Sequence, residues 1–474
     1  MPFYSSLGQL PRKRHIQFRR PDGALYSEEV FGTEGFVGPT STLYHINPPT
    51  QVTGWKSLYS TKVEYVETEV MRMRHSKSAA LPSRGDPVTG RVVLYGNADC
   101  EMAVCAPKEQ MKYHYKNAMG DECLFIHFGR GTVYTAFGAL PFREKDYIII
   151  PKGVTYQMVF DSLPGGRSAG RNGKRSDRGD QTAENAPAPR FLVIETANGS
   201  HIAPPPRYLS KQTSQFLEHA PYCERDLRLP ILPLTFDERG KFEVRIKARN
   251  RVHSYIYDYH PLDVVGWDGC YYPYIFNIDD FSPIVGKHHL PPPIHQTFEA
   301  HNFVICSFCP RMLDFHPQAI AVPYNHSNLD SDEVLYYVEG NYKARKGIEV
   351  ASLTLHPQGI PHGPHPGTVE ASIGATFTNE LAVMCDTFRP LFPTKAALKI
   401  DDPHYPASWK GDHFPQSHRM HASDGAAHPQ VNGTNGHAAT ATPRGKRGAK
   451  AVAGARSSKP TKGGSNSGTV DTWA

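Results

Sequence analysis

Short apolar runs separated by glycine and proline make up most of the chain between residues 90 and 390. Runs such as RVVLYG, ECLFIHF, DYIIIPKG and RFLVIET are rich in β-branched and aromatic residues, which is typical of strands. Proline and glycine, present 41 and 40 times, interrupt helices but suit the turns between strands. The pattern predicts a mainly β protein, a sandwich or barrel with few short helices.

Positive charge is concentrated at the C-terminal end of the 474-residue chain. The formal net charge is +6, and residues 415–474 alone carry a net +6. Because the remaining residues are neutral overall, we expect no nucleic acid to bind the folded body. Residues 421–470 are rich in Ala, Gly, Ser, Thr and Pro, a composition that buries too little apolar surface to fold. We therefore predict a disordered basic tail over 413–474.

The rest of the sequence indicates a protein of the reduced cytoplasm that does not contact membranes. No apolar stretch reaches the roughly 18 residues that a membrane-spanning helix needs. Eight scattered cysteines are too few for a disulfide-stapled secreted domain. The segment 164–190 has a polar composition like that of the tail, but it lies between two strand-like runs. We predict a long surface loop there.

The C-terminal half contains two histidine motifs. In the first, His326-x-Asn-x4-Glu333, six residues separate the glutamate from a glycine, and the second is Pro357-x-Gly-x-x-His362. Together and in this order they resemble the two motifs of the cupin jelly roll. Two imidazoles and one carboxylate leave coordination positions open for substrate and O2, as in non-haem Fe(II) oxygenases. We therefore predict that His326, Glu333 and His362 bind a metal.

A similar pattern recurs in the N-terminal half, which suggests an internal repeat. His114 and Glu122 are followed after six residues by a glycine, and later by Pro151-x-Gly-x-x-Tyr156. The position of the last histidine is taken by Tyr156, whose protonated phenol is a poor iron ligand at neutral pH. We predict a bicupin of two jelly-roll units, the first of them metal-free. The alternative is an ordinary pair of strands in which these residues fall at the motif's spacing by chance.

Longer stretches resemble the homogentisate 1,2-dioxygenase family. They are VVGWDGCYYPYIFN at 264–277, His289-Leu-Pro-Pro, Cys309-Pro-Arg, PYNHSN at 323–328, the run from Glu333 to Gly347, and IPHGPH at 360–365. The resemblance is strongest over about 260–390 and is absent from the tail. It implies an Fe(2+) enzyme of tyrosine and phenylalanine catabolism that converts homogentisate (2,5-dihydroxyphenylacetate) and O2 to maleylacetoacetate. It also implies a homo-oligomer, a trimer or hexamer.

The resemblance further implies roles for residues around the metal. His289 matches the family's acid–base group, which takes a proton from the second ring hydroxyl, with the adjacent His288 as the rival. Tyr342 matches a phenol that faces the substrate, although a tyrosine on a strand is nearly as often part of the core. His356 is expected to support the ligands or to contact the substrate, together with His362. We expect Cys306 and Cys309 to be buried thiols.

These patterns divide the chain into three parts with one principal function. The parts are an N-terminal domain with the degenerate repeat (1–275), a C-terminal catalytic cupin (276–412) and the tail (413–474). A cupin dioxygenase for a related aromatic acid such as gentisate is one alternative function. A non-catalytic metal-binding bicupin is the other, because cupins serve many unrelated functions.

Overall fold

A computed structural model describes most of the chain before the C-terminal tail. The described residues are 3–165, 187–286, 292–322, 324–340, 342, 345 and 347–410. Most of the predicted loop at 164–190 and nearly all of the predicted tail at 413–474 therefore lie outside them. Two five-residue α-helices occur among the described residues, α1 (Thr368–Ser372) and α2 (Lys395–Lys399). No helix in this part of the chain has the length and apolar character needed to cross a membrane.

Strands account for nearly all of the regular structure. Those of the N-terminal half are β1 (Ser5–Gly8), β2 (Ser27–Gly32), β3 (Thr40–His45), β4 (Gly54–Ser60), β5 (Arg74–Ser76), β6 (Val92–Gly96), β7 (Cys100–Cys105), β8 (His114–Asn117), β9 (Glu122–Phe128), β10 (Gly131–Thr135), β11 (Gly138–Phe142), β12 (Asp146–Ile150), β13 (Thr155–Phe160), β14 (Arg190–Thr196), β15 (Leu227–Arg228), β16 (Arg239–Ala248), β17 (Arg251–Tyr259), β18 (Val264–Gly269) and β19 (Tyr274–Asn277).

The C-terminal half adds eight strands within the described residues. They are β20 (Gln296–Ala300), β21 (Phe303–Phe308), β22 (Arg311–Met312), β23 (Asp332–Glu339), β24 (Leu353–His356), β25 (Phe377–Thr378), β26 (Leu381–Thr387) and β27 (Phe392–Pro393). Short 3-10 helices connect strands at Glu34–Phe36, Ser78–Ala80, Pro206–Tyr208, Glu224–Asp226, Ile278–Asp280, Pro292–His295 and Tyr405–Trp409. The predicted fold class, mainly β with few short helices, is confirmed.

Three large sheets carry the fold. Their strand orders are β11-β10-β13-β8-β16-β17-β4 in the seven-stranded sheet, β15-β19-β12-β9-β14-β7-β6-β27 in the eight-stranded sheet, and β20-β21-β26-β23-β24-β5 in the six-stranded sheet. The run β12-β9-β14-β7-β6 of the eight-stranded sheet corresponds, strand for strand, to the run β24-β23-β26-β21-β20 of the six-stranded sheet. The repeated order confirms two related β-sandwich units. The predicted boundary at 275/276 falls within β19 and stays a prediction.

The eight-stranded sheet is buried on both faces. On β9, Leu124 and Ile126 pack toward the seven-stranded sheet, whereas Cys123 and Phe125 pack toward the six-stranded sheet. Successive side chains of a strand point to opposite faces, so a strand between two cores must be apolar at every position. This explains why ECLFIHF shows no alternation. We call the cluster between the eight- and six-stranded sheets, which includes Phe125 and Tyr336, the shared core.

The two halves also exchange strands. β5 lies early in the chain but pairs with β24 at the edge of the C-terminal sheet. β27 lies late in the chain but pairs with β6 at the edge of the N-terminal sheet. Each half therefore supplies an edge strand to the sheet of the other, and such pairing protects edges that would otherwise be open.

Candidate metal centre and its pocket

Two backbone pairings bring the predicted metal ligands together. Glu333 lies near the start of β23, directly opposite His356 at the end of β24. His326 and His362 form an isolated antiparallel bridge, with backbone N–H to O distances of 2.8 and 2.9 Å in the two directions. The two motifs, separate in sequence, are thus joined by backbone hydrogen bonds. This pairing fixes the two imidazoles next to each other, with ring centroids 4.3 Å apart.

The side chains converge on one point. The Nε2 atoms of His326 and His362 each lie 3.6 Å from Oε2 of Glu333, and the three candidate ligand atoms lie within 4.8 Å of one another. Both Nε2 atoms are buried and have no hydrogen-bond partner among the described residues. Buried polar atoms normally have partners, so this arrangement fits a site that holds a cation.

The tautomers of both histidines suit a metal. Nδ1–H of His326 donates to the carbonyl oxygen of Tyr324 at 3.3 Å, and that of His362 donates to the carbonyl oxygen of Ile360 at 3.0 Å. Each Nε2 then carries the lone pair. Histidine ligands commonly bind metals with one nitrogen while the other donates to a carbonyl. The donor set, two neutral imidazoles and one carboxylate, fits a divalent transition metal.

His356 holds the second oxygen of Glu333. Its Nδ1–H donates to Oε1 at 2.8 Å, and its Nε2 accepts from the Tyr405 hydroxyl at 3.1 Å. Burial lowers the pKa of His356 to about 4, so the ring is neutral. Burial would raise the pKa of Glu333, but the neighbouring imidazoles of His326, His356 and His362 hold it well below its usual value. Because both nitrogens of His356 are occupied, the geometry favours ligand support over substrate contact.

The turn around His362 requires glycine at two positions and is held by a side-chain hydrogen bond. Gly359 has φ +74°, a left-handed conformation that favours glycine. Oδ1 of Asp332 accepts a 2.8 Å hydrogen bond from N–H of Gln358 in the same turn. At Gly363, an added Cβ would lie 2.7 Å from Cα of Asn325. Only glycine therefore allows the two motifs to approach closely enough to pair.

A pocket opens beside the metal centre. It has a volume of about 190 Å³ and is lined by His326 and Glu333 together with mainly apolar side chains. Tyr342 lines the same pocket, but its hydroxyl donates to the carbonyl oxygen of Leu381 at 2.8 Å. The ring of Tyr342 therefore faces the pocket while its hydroxyl is occupied. Its role as a substrate contact stays a prediction.

One histidine of the pocket was not predicted from the sequence. His288 and His289 lie outside the described residues, whereas the described residues on either side, Gly286 and Ile294, both line the pocket. His295 also lines it and is buried, with 5% of its surface exposed. It follows the proline run that His289 precedes, and nothing in that run marks it as buried. Cys306 and Cys309, predicted as buried thiols, are buried and free.

The corresponding point in the N-terminal half is occupied by an ion pair. Arg91 contacts both carboxylate oxygens of Glu122, at 2.6 and 3.3 Å. The Tyr156 hydroxyl donates to Oε2 of Glu122 at 2.7 Å, and Asn117 donates to Oε1 at 3.2 Å. A guanidinium thus neutralises the carboxylate that aligns with Glu333. The predicted place of Tyr156 beside Glu122 is found, and the absence of metal there stays a prediction.

The predicted register of this repeat was wrong by one residue. His114 contacts His260, with ring centroids 5.0 Å apart, whereas Tyr115 packs on Tyr156 at 5.5 Å. A shift of one residue moves a side chain to the other face of its strand. Tyr115-x-Asn-x4-Glu122 has the spacing of His326-x-Asn-x4-Glu333. Both ligand histidines are therefore replaced by tyrosine.

Comparison with known proteins shows similarity along most of the chain. The model for the N-terminal part of homogentisate 1,2-dioxygenases matches residues 221–278, and that for the C-terminal part matches residues 290–414. The homogentisate 1,2-dioxygenase of Emericella nidulans is 26% identical over 403 residues, covering 78% of this chain and 81% of that enzyme. A cupin barrel protein of Leptotrichia buccalis is 9% identical with a TM-score of 0.28, covering 69% of this chain and 100% of that one.

A second relative covers most of the chain. A protein of Saccharolobus solfataricus that is provisionally named a dioxygenase is 37% identical over 417 residues. The match covers 86% of this chain and 99% of that protein. With the motifs paired around one centre and both family models matched, the chain is a dioxygenase and belongs to the homogentisate 1,2-dioxygenase family.

Proposed function

We propose that the protein is an Fe(II)-dependent ring-cleaving dioxygenase that converts homogentisate and O2 to maleylacetoacetate. The observation that carries the proposal is the centre of His326, Glu333 and His362, with two buried imidazole nitrogens free of hydrogen bonds within the described residues. Two imidazoles and one carboxylate suit Fe(II), and this donor set lacks the thiolates typical of a structural zinc site. Bound there, Fe(II) would supply open coordination positions for substrate and O2 and a path for electrons between them.

The pocket supports a small aromatic substrate. Its volume of about 190 Å³ can be compared with cavities of about 150 Å³ that accommodate benzene. Aliphatic and aromatic side chains, including Phe308, Leu335 and Met384, would hold the ring and keep water away from it. The ligand face and the apolar wall together suit an aromatic acid with its polar groups directed to the metal.

The proton of the second ring hydroxyl needs an acceptor as the ring loses electrons. A neutral histidine suits this role near pH 7. The family resemblance assigns it to His289, and His288 remains the alternative. We propose that His289 accepts this proton. A homo-oligomer, a trimer or hexamer, is likewise a proposal, which sedimentation equilibrium would check.

The test is anaerobic reconstitution with Fe(II), followed by oxygen uptake with homogentisate, gentisate and phenylacetate. We expect uptake with homogentisate and a product with the absorbance of maleylacetoacetate. Glu333→Ala should lose both bound iron and activity, because it removes a ligand. Glu370→Ala removes an exposed carboxylate away from the pocket and is the matched control.

The other outcomes decide between the alternatives. Uptake with gentisate but not with homogentisate would identify a dioxygenase for a related acid. Iron binding without uptake on any of these acids would indicate a non-catalytic bicupin. Full iron occupancy in Glu333→Ala would contradict the assigned ligands.

A further inference from the structure

A short helix near the end of the described chain contacts the residues that support the metal centre. It is the 3-10 helix Tyr405–Trp409, which follows β27 and α2. Tyr405 is buried, with 4% of its surface exposed, and neither Tyr405 nor Trp409 lines the pocket. Contact with a ligand in the pocket therefore does not account for the position of these two side chains.

The Tyr405 hydroxyl fixes the tautomer of His356. Nδ1 of His356 lies 2.8 Å from Oε1 of Glu333, and its Nε2 lies 3.1 Å from the Tyr405 hydroxyl. A neutral imidazole has one N–H and one lone pair, so a donor at Nε2 places the N–H on Nδ1, where the carboxylate accepts it. Burial raises the pKa of Tyr405, so the phenol keeps the proton that it donates. The hydroxyl thus acts on the carboxylate through one imidazole.

Trp409 contacts the backbone next to the second motif. Its Nε1–H donates to the carbonyl oxygen of Gly363 at 3.2 Å, and Arg345 donates to the same oxygen at 2.6 Å. The Arg345 guanidinium also lies 5.8 Å from the centroid of the Trp409 ring, within the range of a cation–π interaction. Gly363 directly follows His362. Two donors therefore fix the backbone one residue after a predicted ligand.

The exchanged strand β5 anchors the segment that leads into this helix. Arg74 of β5 donates to Oδ2 of Asp401 at 2.6 Å, and both side chains are buried. The backbone N–H of Asp402 donates to the carbonyl oxygen of His75 at 2.8 Å. The His75 ring also packs on Tyr405, with ring centroids 5.3 Å apart. The N-terminal half thus holds the helix against the metal centre of the C-terminal half.

We propose that Tyr405 and Trp409 are positioning residues of the metal centre. Tyr405 acts through His356 on the carboxylate of Glu333, and Trp409 acts through the backbone on the turn of the second motif. Without either donor, the ligand side chains would be less fixed in advance, so metal binding would have to order them. This inference rests on the ligands named in the proposed function but not on its substrate.

Metal titration of the full chain separates positioning from stability. The protein is stripped of metal, its melting temperature is measured, and it is titrated without oxygen with Fe(II) against a competing chelator. Tyr405→Phe removes only the hydroxyl, and we expect its Kd for Fe(II) to rise about 10-fold, as for other outer partners of metal ligands. Trp409→Phe removes one of two donors to one oxygen and should raise the Kd about 2- to 10-fold, the size of one neutral hydrogen bond.

A double-variant cycle identifies the route of each effect. In a protein that carries His356→Leu, Tyr405→Phe should raise the Kd no further, because the imidazole through which it acts is gone. Trp409→Phe acts on the other motif and should raise the Kd in that protein as it does in wild type. Co(II) suits the same donors and gives a second readout. The visible absorption of bound Co(II) should change in Tyr405→Phe, which a loss of stability alone would not cause.

Two control variants make the same exchanges away from the metal centre. They are Tyr134→Phe on β10 and Trp55→Phe on β4, where the ring is 74% exposed, and neither should change the Kd. The proposal is overturned if Tyr405→Phe or Trp409→Phe stays within about twofold of wild type, less than one hydrogen bond. It is equally overturned if Tyr405→Phe fails to fold or has its full effect beside His356→Leu.

Glu333→Ala distinguishes failure of this inference from failure of the proposed function. If Glu333→Ala binds Fe(II) like wild type, the ligands are wrongly assigned and both proposals fail. If Glu333→Ala loses Fe(II) while Tyr405→Phe and Trp409→Phe bind it like the controls, the positioning roles fail and the proposed function stands.

Discussion

At the metal centre, one carboxylate serves two sets of neighbours. Oε2 of Glu333 faces His326 and His362, while Oε1 is held by His356. A carboxylate whose second oxygen is fixed cannot rotate away from a metal. Supporting hydrogen bonds of this kind orient the ligand and strengthen metal binding.

We therefore predict that His356→Leu weakens iron binding about 10- to 100-fold without abolishing it. The dissociation constant would be measured by competition with a chelator. His356→Asn offers an amide N–H near the position of Nδ1 and should recover part of the affinity. If His356 only stabilised the fold, the two variants would bind iron with equal affinity once the difference between their melting temperatures had been taken into account.

The sequence predicted the three side chains that converge at the candidate centre, but not the whole site. Motif spacing was enough to group His326, Glu333 and His362, and their role as metal ligands stays a prediction. The alternatives for His356 stayed open, since the pairing of β23 with β24 that places it behind Glu333 is a tertiary contact. His295 was missed because a histidine after a proline run has no signal of burial in the sequence.

At the scale of elements, the repeat shows how a strand face decides function. Tyr115 and Asn117 point toward Glu122, and His114 points away from it. Motif counting could not distinguish these registers, because one histidine in a β-rich sequence satisfied a degenerate pattern. Matching the asparagine at two positions after the first ligand would have given the correct register.

The ion pair in this first unit gives a prediction about stability. Glu122 is fully buried, so Arg91→Leu leaves a buried carboxylate without its cation. Removal of one partner of a buried pair costs about 3–5 kcal/mol. Urea unfolding should show that loss, and Arg91→Leu with Glu122→Leu should recover most of it. A double variant as unstable as the single one would mean that the ion pair itself does not explain the loss.

At the scale of the whole molecule, the shared core joins the two halves through a polar contact as well as apolar ones. His127 on β9 accepts from the Tyr336 hydroxyl at 2.7 Å and donates to the Val338 carbonyl oxygen at 3.1 Å. Both partners lie on β23. Burial lowers the pKa of His127 to about 4, so the ring is neutral in the folded protein near pH 7.

This contact predicts sensitivity to acid. The unfolded state binds a proton on His127 below about pH 6.5, whereas the folded state does so only near pH 4, so stability falls as the pH is lowered between these values. Between pH 6.5 and 5 the loss from this residue should be about 1.5 kcal/mol. Urea unfolding of wild type and His127→Asn at both pH values checks it. The free energy of unfolding of His127→Asn should fall less between the two pH values than that of wild type. His404→Asn, at an exposed site, should behave like wild type.

The sequence predicted two β units but not how they pack against each other and exchange strands. Apolar runs without alternation, as in β9 and β12, were correctly interpreted as strands. That these strands lie between two cores follows only from the packing of three sheets. The exchange of β5 and β27 could not be predicted, since strands of two or three residues carry too little pattern to name a partner.

The exchanged strands impose an order on biosynthesis. β5 ends at Ser76, and its partner β24 begins at Leu353, so most of the folded part must leave the ribosome between them. At the usual 5–20 residues per second, this delay is on the order of tens of seconds. During translation the edge of the N-terminal sheet at β6 likewise waits for Phe392 and Pro393. The half that is synthesised first therefore receives its last strand only after the second half has been made.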